Sequence, residues 1–209
     1  MKFFDDKEVD GVKGWWWVAT DTGAWDGPMD DWQTSHKEMI IKHVPMRGAV
    51  VQAGGNCGMY PVLLSKIFGQ VYTFEPDALN YSCLQRNIEN IPNIKARLGA
   101  IGQTEGTCKV IRKTMHNVGM HQVAEGSDVG MYQLDLVADL LDDPVDLIML
   151  DIEGYEEYAL KGAKRIIDRW KPVIFAENPN SESIEFLKEL GYSQVDKSKM
   201  DVVFTHNSR

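Results

Sequence analysis

The chain has 209 residues with a formal net charge of −9, long enough to bury one α/β core and too acidic for a protein whose main task is gripping phosphate backbones. No apolar run approaches the roughly 20 residues that a membrane span requires, and the charged start Met1-Lys2-Phe3-Phe4-Asp5-Asp6-Lys7-Glu8 does not read as a secretory signal. The expected setting is cytoplasmic, with no nucleic acid or membrane as partner, and Cys57, Cys83 and Cys108, without CxxC spacing, indicate reduced thiols rather than a disulfide framework or a zinc site.

Residues 1–31 carry Trp15-Trp16-Trp17 and Trp25 among Gly14, Gly23, Gly27 and Pro28. This is an arm without a helical pattern, whose rings either pack on the main domain or line a groove, with Trp25 as the candidate substrate contact. From Asp31 or Thr34 to about Val44, Met39, Ile40 and Val44 recur at helical spacing. The arm and this helix form a segment, 1–44, packed on a domain over 45–209. That domain opens with the strand at Val50 to Ala53, which runs into Gly54-Gly55-Asn56-Cys57-Gly58 and a helix over Pro61 to Phe68. Glycines permit close approach to a ligand, and the helix start offers unpaired N–H groups, so this is the form of a nucleotide-cofactor loop. A second strand, 70–75, ends at Glu75, 21 residues after Gly54 (75 − 54), where a ribose hydroxyl pair needs an acceptor.

Asp77 or Asn80 starts the next helix, and Pro92 stops it. Ile94 to Ile101 reads as a third strand with a small-residue turn, Gly99-Ala100-Ile101-Gly102, suited to a flat ring. Helical periodicity then fails over 105–133. Short strands at Lys109–Arg112 and Met120–Val123 flank a mobile polar loop, Thr114 to Gly119, and Asp135 to Leu140 is a short helix. Val145 to Asp151 is a buried strand ending in a carboxylate, followed by a helix from Tyr155 to Arg169. Lys171 to Asn178 is another strand. Ser181 caps a helix to Leu190, and two last strands, about 192–196 and 201–205, are so closely joined that they must be antiparallel.

Several of these segments together resemble the FkbM-type family of S-adenosylmethionine-dependent methyltransferases. The matching residues are Val51-Gln52-Ala53-Gly54-Gly55-Asn56-Cys57-Gly58; Phe74-Glu75-Pro76-Asp77 with Asn80, Leu84 and Asn87; Val145-Asp146-Leu147-Ile148 with Asp151-Ile152-Glu153-Gly154-Tyr155-Glu156; Leu160-Lys161-Gly162-Ala163; and Lys171-Pro172-Val173-Ile174 with Glu177. They span roughly residues 45–195, and the Trp-rich arm is similar to that of phage and environmental versions. The resemblance implies a Rossmann-like class I methyltransferase fold: a seven-stranded, mostly parallel sheet with an antiparallel last strand and helices on both faces. It implies S-adenosylmethionine as cofactor and O-methylation of a sugar or other small polyhydroxylated acceptor. One departure is Gln52, where the family usually has an acid that helps to hold the methionyl part of the cofactor.

By resemblance and position, Gln52, Gly54, Gly55, Asn56 and Gly58 face the methionine moiety and Glu75 the ribose. The segment around Ala100 faces the adenine, and Asp151 borders the cofactor; Pro76 stands beside the cofactor but, like Tyr60, reads as structural rather than ligating. Asp151 and Glu153 leave the carboxyl end of the central strand, where ligands bind in open parallel sheets, and are the candidate catalytic or acceptor-positioning pair. His116 is an alternative base and Asn117 an acceptor ligand on the predicted loop. Asp151, Glu177 and Asn178 could gather oxygen ligands for Mg²⁺. Two other readings stay open. An NAD-dependent oxidoreductase shares the strand, turn and distal acid but wants Gly-x-Gly-x-x-Gly, whereas the glycines here are 54, 55 and 58. A non-catalytic module of the same fold would explain Gln52, with the aromatic arm as a docking surface or a contact in a homo-oligomer.

Overall fold

A computed structural model describes residues 1–21, 29–114, 116–137 and 143–208, with the backbone alone over 29–33. Trp25 therefore lies outside the described residues. The arm begins as a hairpin, β1 (Lys2–Val9) and β2 (Val12–Trp17), rather than as an irregular segment. Asp10 and Gly11 make its turn at φ 45° and 85°, the left-handed pair that suits a two-residue hairpin loop. Alternation in β2 turns Trp15 and Trp17 into the core, both at most 1% exposed, and leaves Trp16 half-buried under the Arg86 guanidinium, 4.6 Å from its ring centre.

Helix α1 (Met29–His43) leads into the main sheet. Its strands are β3 (Ala49–Ala53), β4 (Gln70–Glu75), β5 (Ile94–Leu98), β10 (Val145–Leu150), β11 (Val173–Glu177), β12 (Tyr192–Ser198) and β13 (Asp201–His206). The spatial order is β12-β13-β11-β10-β3-β4-β5, parallel throughout except for the pairings of β13, which bear out the seven-stranded sheet with an antiparallel last strand. β3 and β10 are buried at every position, as near-continuous apolar runs must be when helices cover both faces. On one face Val50, Leu147, Met149 and Phe175 pack with Trp15, Trp17 and α2 (Met59–Ser65); on the other Val51, Ile148 and Ile174 pack with Leu160, Ile167 and Leu187. The strand order reverses between β3 and β10, so a crevice opens at their carboxyl ends, where such sheets bind ligands.

Three expectations over the connections are corrected. The strand predicted over 94–101 breaks at Gly99, whose φ of 148° and close neighbour, the Tyr132 ring 2.3 Å from where a Cβ would stand, turn the chain out of the main sheet. Residues 100–133 instead build a second sheet in the order β6-β9-β7-β8, from β6 (Ala100–Gly102), β7 (Gly106–Ile111), β8 (Gln122–Glu125) and β9 (Val129–Gln133). The single helix expected over 155–169 is two, α5 (Glu156–Gly162) and α6 (Lys164–Trp170), because the buried Asp135 carboxylate accepts the Arg165 and Ile166 N–H groups at 2.9 and 3.0 Å and so caps α6 from outside. Asp135 itself sits in α4 (Leu134–Val137); the rest of the helix expected there lies outside the described residues. Helix α3 (Ala78–Asn87) is capped by Asp77 as expected, whereas α7 (Ser181–Glu189) is capped by Asn180, whose Oδ1 accepts from Ser183 N, and not by Ser181.

Candidate active site

Gly54 is where the loop after β3 crosses the end of β10. Its φ is 89°, and a Cβ there would stand 1.9 Å from the Asp151 carbonyl oxygen, so no side chain fits. This crossing sets the two loops side by side. The loop is also fixed from below: Gln52, fully buried, donates from Nε2 to the Ala53 and Gly54 carbonyls at 3.2 and 2.8 Å and accepts from Thr73 Oγ1. An acid at this position would face two carbonyl oxygens. The amide suits this loop, and Gln52 lies beneath the loop rather than on the cavity wall expected for it.

A first cavity, about 600 Å³ of empty space counting its mouth, lies over the ends of β3 and β4. Gly54, Asn56, Glu75, Pro76, Ala100 and Asp151 all line it, as do the apolar Phe74, Ile101, Val118 and Ile152. Gly55 and Gly58 lie behind this wall, packed on Leu84. Glu75 is 4% exposed; one carboxylate oxygen accepts the Asn56 N–H at 2.7 Å and the other the Asp77 N–H at 2.8 Å. Each oxygen keeps a further lone pair, the geometry needed to accept from two neighbouring hydroxyls. Burial outweighs these N–H bonds and pushes its pKa up to about 7. Asn80, 2% exposed on the same wall, leaves its Oδ1 without a partner. Among the described residues lining this cavity there is no Lys or Arg.

The segment 112–121 closes one side. Burial works against ionisation of Asp77, but the Arg112 guanidinium at 2.6 Å and the helix N–H groups outweigh it and hold the carboxyl below the usual range. Asn80 Nδ2 donates to the Val118 carbonyl, and Asp21 accepts both the Trp17 indole N–H at 3.0 Å and the Val118 N–H at 3.3 Å, so the arm buttresses this segment. The exposed Asn117 accepts from Gly119 N at 3.0 Å and is a turn cap, on neither cavity's wall. His116 is also exposed and lies on neither wall; His121, which no sequence pattern marked, lines the first cavity instead. The short helical turn at Val118–Met120 brings His121 inward, and burial lowers its pKa.

Asp151 is shared with a second cavity, about 1400 Å³ on the same measure, at the ends of β10 and β11. Its lining comes from distant segments: Ser35 and His36 of α1, Tyr60 of α2, Phe175 and Glu177 of β11, and Ser198 to Asp201 of the last turn. At the junction Asp151, Glu153 and Glu177 each offer a carboxylate oxygen within 4.8 Å of one another. Burial, a hydrogen bond with Glu177 and the neighbouring charges raise the Asp151 pKa well above the usual range; burial and Glu177 raise that of Glu153. Asn178 is exposed, with its N–H on the Met200 carbonyl at 2.7 Å, so Glu153 takes the place expected for it.

Among curated proteins, none matches the chain. Among solved structures it is similar to an FkbM methyltransferase from Methylobacillus flagellatus, at 18% identity and TM-score 0.56, over 82% of this chain and 48% of that one. It thus spans about half the length of that relative. It is also similar to the Aeropyrum pernix fibrillarin solved with natively bound S-adenosyl-L-methionine, at 13% identity and TM-score 0.52, over 82% of this chain and 73% of that one. These likenesses establish the fold, while the family model for the methyltransferase FkbM domain matches residues 57–194, well over half of the sequence. The chain belongs to the FkbM methyltransferase family.

Proposed function

We propose that the chain is an S-adenosylmethionine-dependent methyltransferase acting on a hydroxyl of a small polyhydroxylated acceptor. The observation that carries this reading is the meeting of two cavities at one carboxylate, Asp151. The first cavity fits a nucleoside: Glu75 has lone pairs for a ribose diol, the orphaned Asn80 Oδ1 supplies a further acceptor, and Phe74, Pro76, Ala100 and Ile101 give an apolar wall for a base. When bound, the cofactor supplies a methyl group activated by a cationic sulfonium. Asp151, Glu153 and Glu177 would offer carboxyl oxygens to that cation, and glycines 54, 55 and 58 do not make the Gly-x-Gly-x-x-Gly turn on which NAD rests its pyrophosphate. Asp151, on both walls, is the group placed to orient an acceptor toward the first cavity.

A specific observation favours a second element. The same three carboxylates form an oxygen donor set of the kind that holds Mg²⁺, which would orient an acceptor hydroxyl. Transfer that is unaffected by EDTA would remove the metal from the account. The buried, unpaired Cys57, Cys83 and Cys108 suit a reducing compartment, and a cytoplasmic setting belongs to the reading. Calorimetric titration with S-adenosylhomocysteine, with NAD in parallel, tests the whole. Saturable binding of the first alone supports it; binding of NAD alone, or of neither, contradicts it.

A further inference from the structure

We propose that the second cavity is the acceptor site, that it takes an uncharged hydroxyl compound, and that Tyr60, backed by His36 and Asp201, receives the acceptor's proton. This rests on the methyltransferase reading. The three side chains come from α1, α2 and β13, separated by up to 165 residues in sequence, yet they form one hydrogen-bonded line. His36 Nε2 lies 2.7 Å from Asp201 Oδ2, and His36 Nδ1 is hydrogen-bonded to the Tyr60 hydroxyl. A carboxylate only accepts, so Nε2 carries the proton and Nδ1 is left as the acceptor for Tyr60. The Tyr60 hydroxyl stands between the cavity and His36 Nδ1, where it can take a proton on one side as it gives its own on the other.

All three residues are buried, His36 at 7%, Tyr60 at 8% and Asp201 at 9% exposure, and all three line the second cavity. Packing alone does not require such a line, since a buried polar network is neutral to stability at best unless fully satisfied. In the transfer the acceptor oxygen forms a bond to the methyl carbon. The carbon–sulfur bond breaks with its electron pair left on sulfur, which becomes a neutral thioether. The acceptor's proton passes to Tyr60 Oη as the Tyr60 proton passes to His36 Nδ1, and the Asp201 carboxylate balances the imidazolium so formed. The walls also select the acceptor. Asp201 and the hydrogen-bonded Asp151–Glu177 pair face it, with Lys199 the one Lys or Arg among the described lining residues, so phosphorylated or carboxylated compounds are disfavoured, while Met149, Phe175 and Met200 offer apolar surface to a ring.

The test uses radiolabelled methyl transfer from S-adenosylmethionine to methyl α-glucoside, methyl β-galactoside and myo-inositol, with glucose 6-phosphate as the anionic comparison. The wild-type protein is compared with Tyr60→Phe, His36→Gln and Asp201→Asn. At least one uncharged compound should accept methyl and the phosphate should not. Tyr60→Phe and His36→Gln should lower kcat about 100-fold and Asp201→Asn about 10-fold, with acceptor KM within about threefold and S-adenosylhomocysteine affinity within about twofold of wild type. Nitrogen-15 NMR, with His36→Gln giving the assignment, should show Nε2 as the proton-bearing nitrogen of His36 and Nδ1 as the one perturbed by Tyr60→Phe. Cofactor-product binding without transfer to any uncharged compound, a kcat loss below about threefold in both variants, or a ring protonated on Nδ1 overturns this assignment alone. Failure to bind S-adenosylhomocysteine overturns the methyltransferase reading and this one with it.

Discussion

The two cavities share Asp151 but are built in opposite ways. The first is assembled from strand ends and the turns that directly follow them: Gly54 to Asn56 after β3, Glu75 and Pro76 after β4, Asp151 and Ile152 after β10. The second draws on α1, α2, β11 and the turn between the last two strands, segments that meet only once the sheet has closed. A site made of strand-to-helix turns tolerates little change in backbone and is tied to one ligand shape. A site made of side chains from distant elements can vary without disturbing the sheet, which is where substrate choice is expected to reside.

That contrast can be broken by substitution. The largest effect is expected at Gly54→Ala, because the added Cβ falls 1.9 Å from the Asp151 carbonyl oxygen at a φ of 89°. Either the loop or the end of β10 must move, and S-adenosylhomocysteine binding should fall more than about 100-fold in calorimetry, with a loss of roughly 1–3 kcal/mol in chemical denaturation. Next is Glu75→Ala, which removes the expected diol acceptor; hydrogen bonds to a charged group contribute about 1.5–3 kcal/mol, so affinity should fall about 10- to 100-fold. If the two substitutions leave binding intact, the first cavity is not the nucleoside site.

The same carboxylate predicts a pH dependence. Ligand hydroxyls donate to the ionised form of Glu75, whose pKa in the free protein is about 7, so binding must expel a proton below that pH. Affinity for S-adenosylhomocysteine should therefore drop about tenfold from pH 8 to pH 6, with about half a proton released at pH 7 in calorimetry across buffers of different ionisation enthalpy. The sign is set by a carboxyl with a raised pKa: the protonated form dominates on the acid side and cannot accept both hydroxyls. The smallest effect is expected at Asp21→Ala, which removes the link between Trp17 and Val118. It should cost about 0.5–1.5 kcal/mol of stability for each of the two hydrogen bonds it removes, and weaken binding severalfold without changing its pH dependence.

The difference between the cavities is also a difference in what a sequence can reveal. β3, β4 and β10 announce themselves as apolar runs ending in Gly or acid, and the terminal hairpin follows from a connection too short for a crossover. Much of the first cavity is legible for the same reason, since Gly54, Asn56, Glu75 and Asp151 lie at fixed offsets from those strand ends. His36, Tyr60 and Asp201 have no such offset; only closure of β13 against β11 brings Asp201 under α1. His116 drew attention as a histidine on a polar loop, yet the inward turn at 118–120 delivers His121, and nothing local distinguishes the two. Gln52 read as a residue facing the methionine moiety because side-chain donors to the Ala53 and Gly54 carbonyls cannot be foreseen from spacing. The Asp10-Gly11 turn is the exception, a hairpin signal present in the sequence and obscured by the three consecutive tryptophans after it.

A crystal structure of the chain with S-adenosylhomocysteine tests the central claim most directly. The account predicts the ribose hydroxyls on Glu75, the base against Pro76 and Ala100, and the sulfur beside Asp151, facing the second cavity. A nucleoside seated against His36 and Tyr60, or a sulfur pointing away from Asp151, would contradict it.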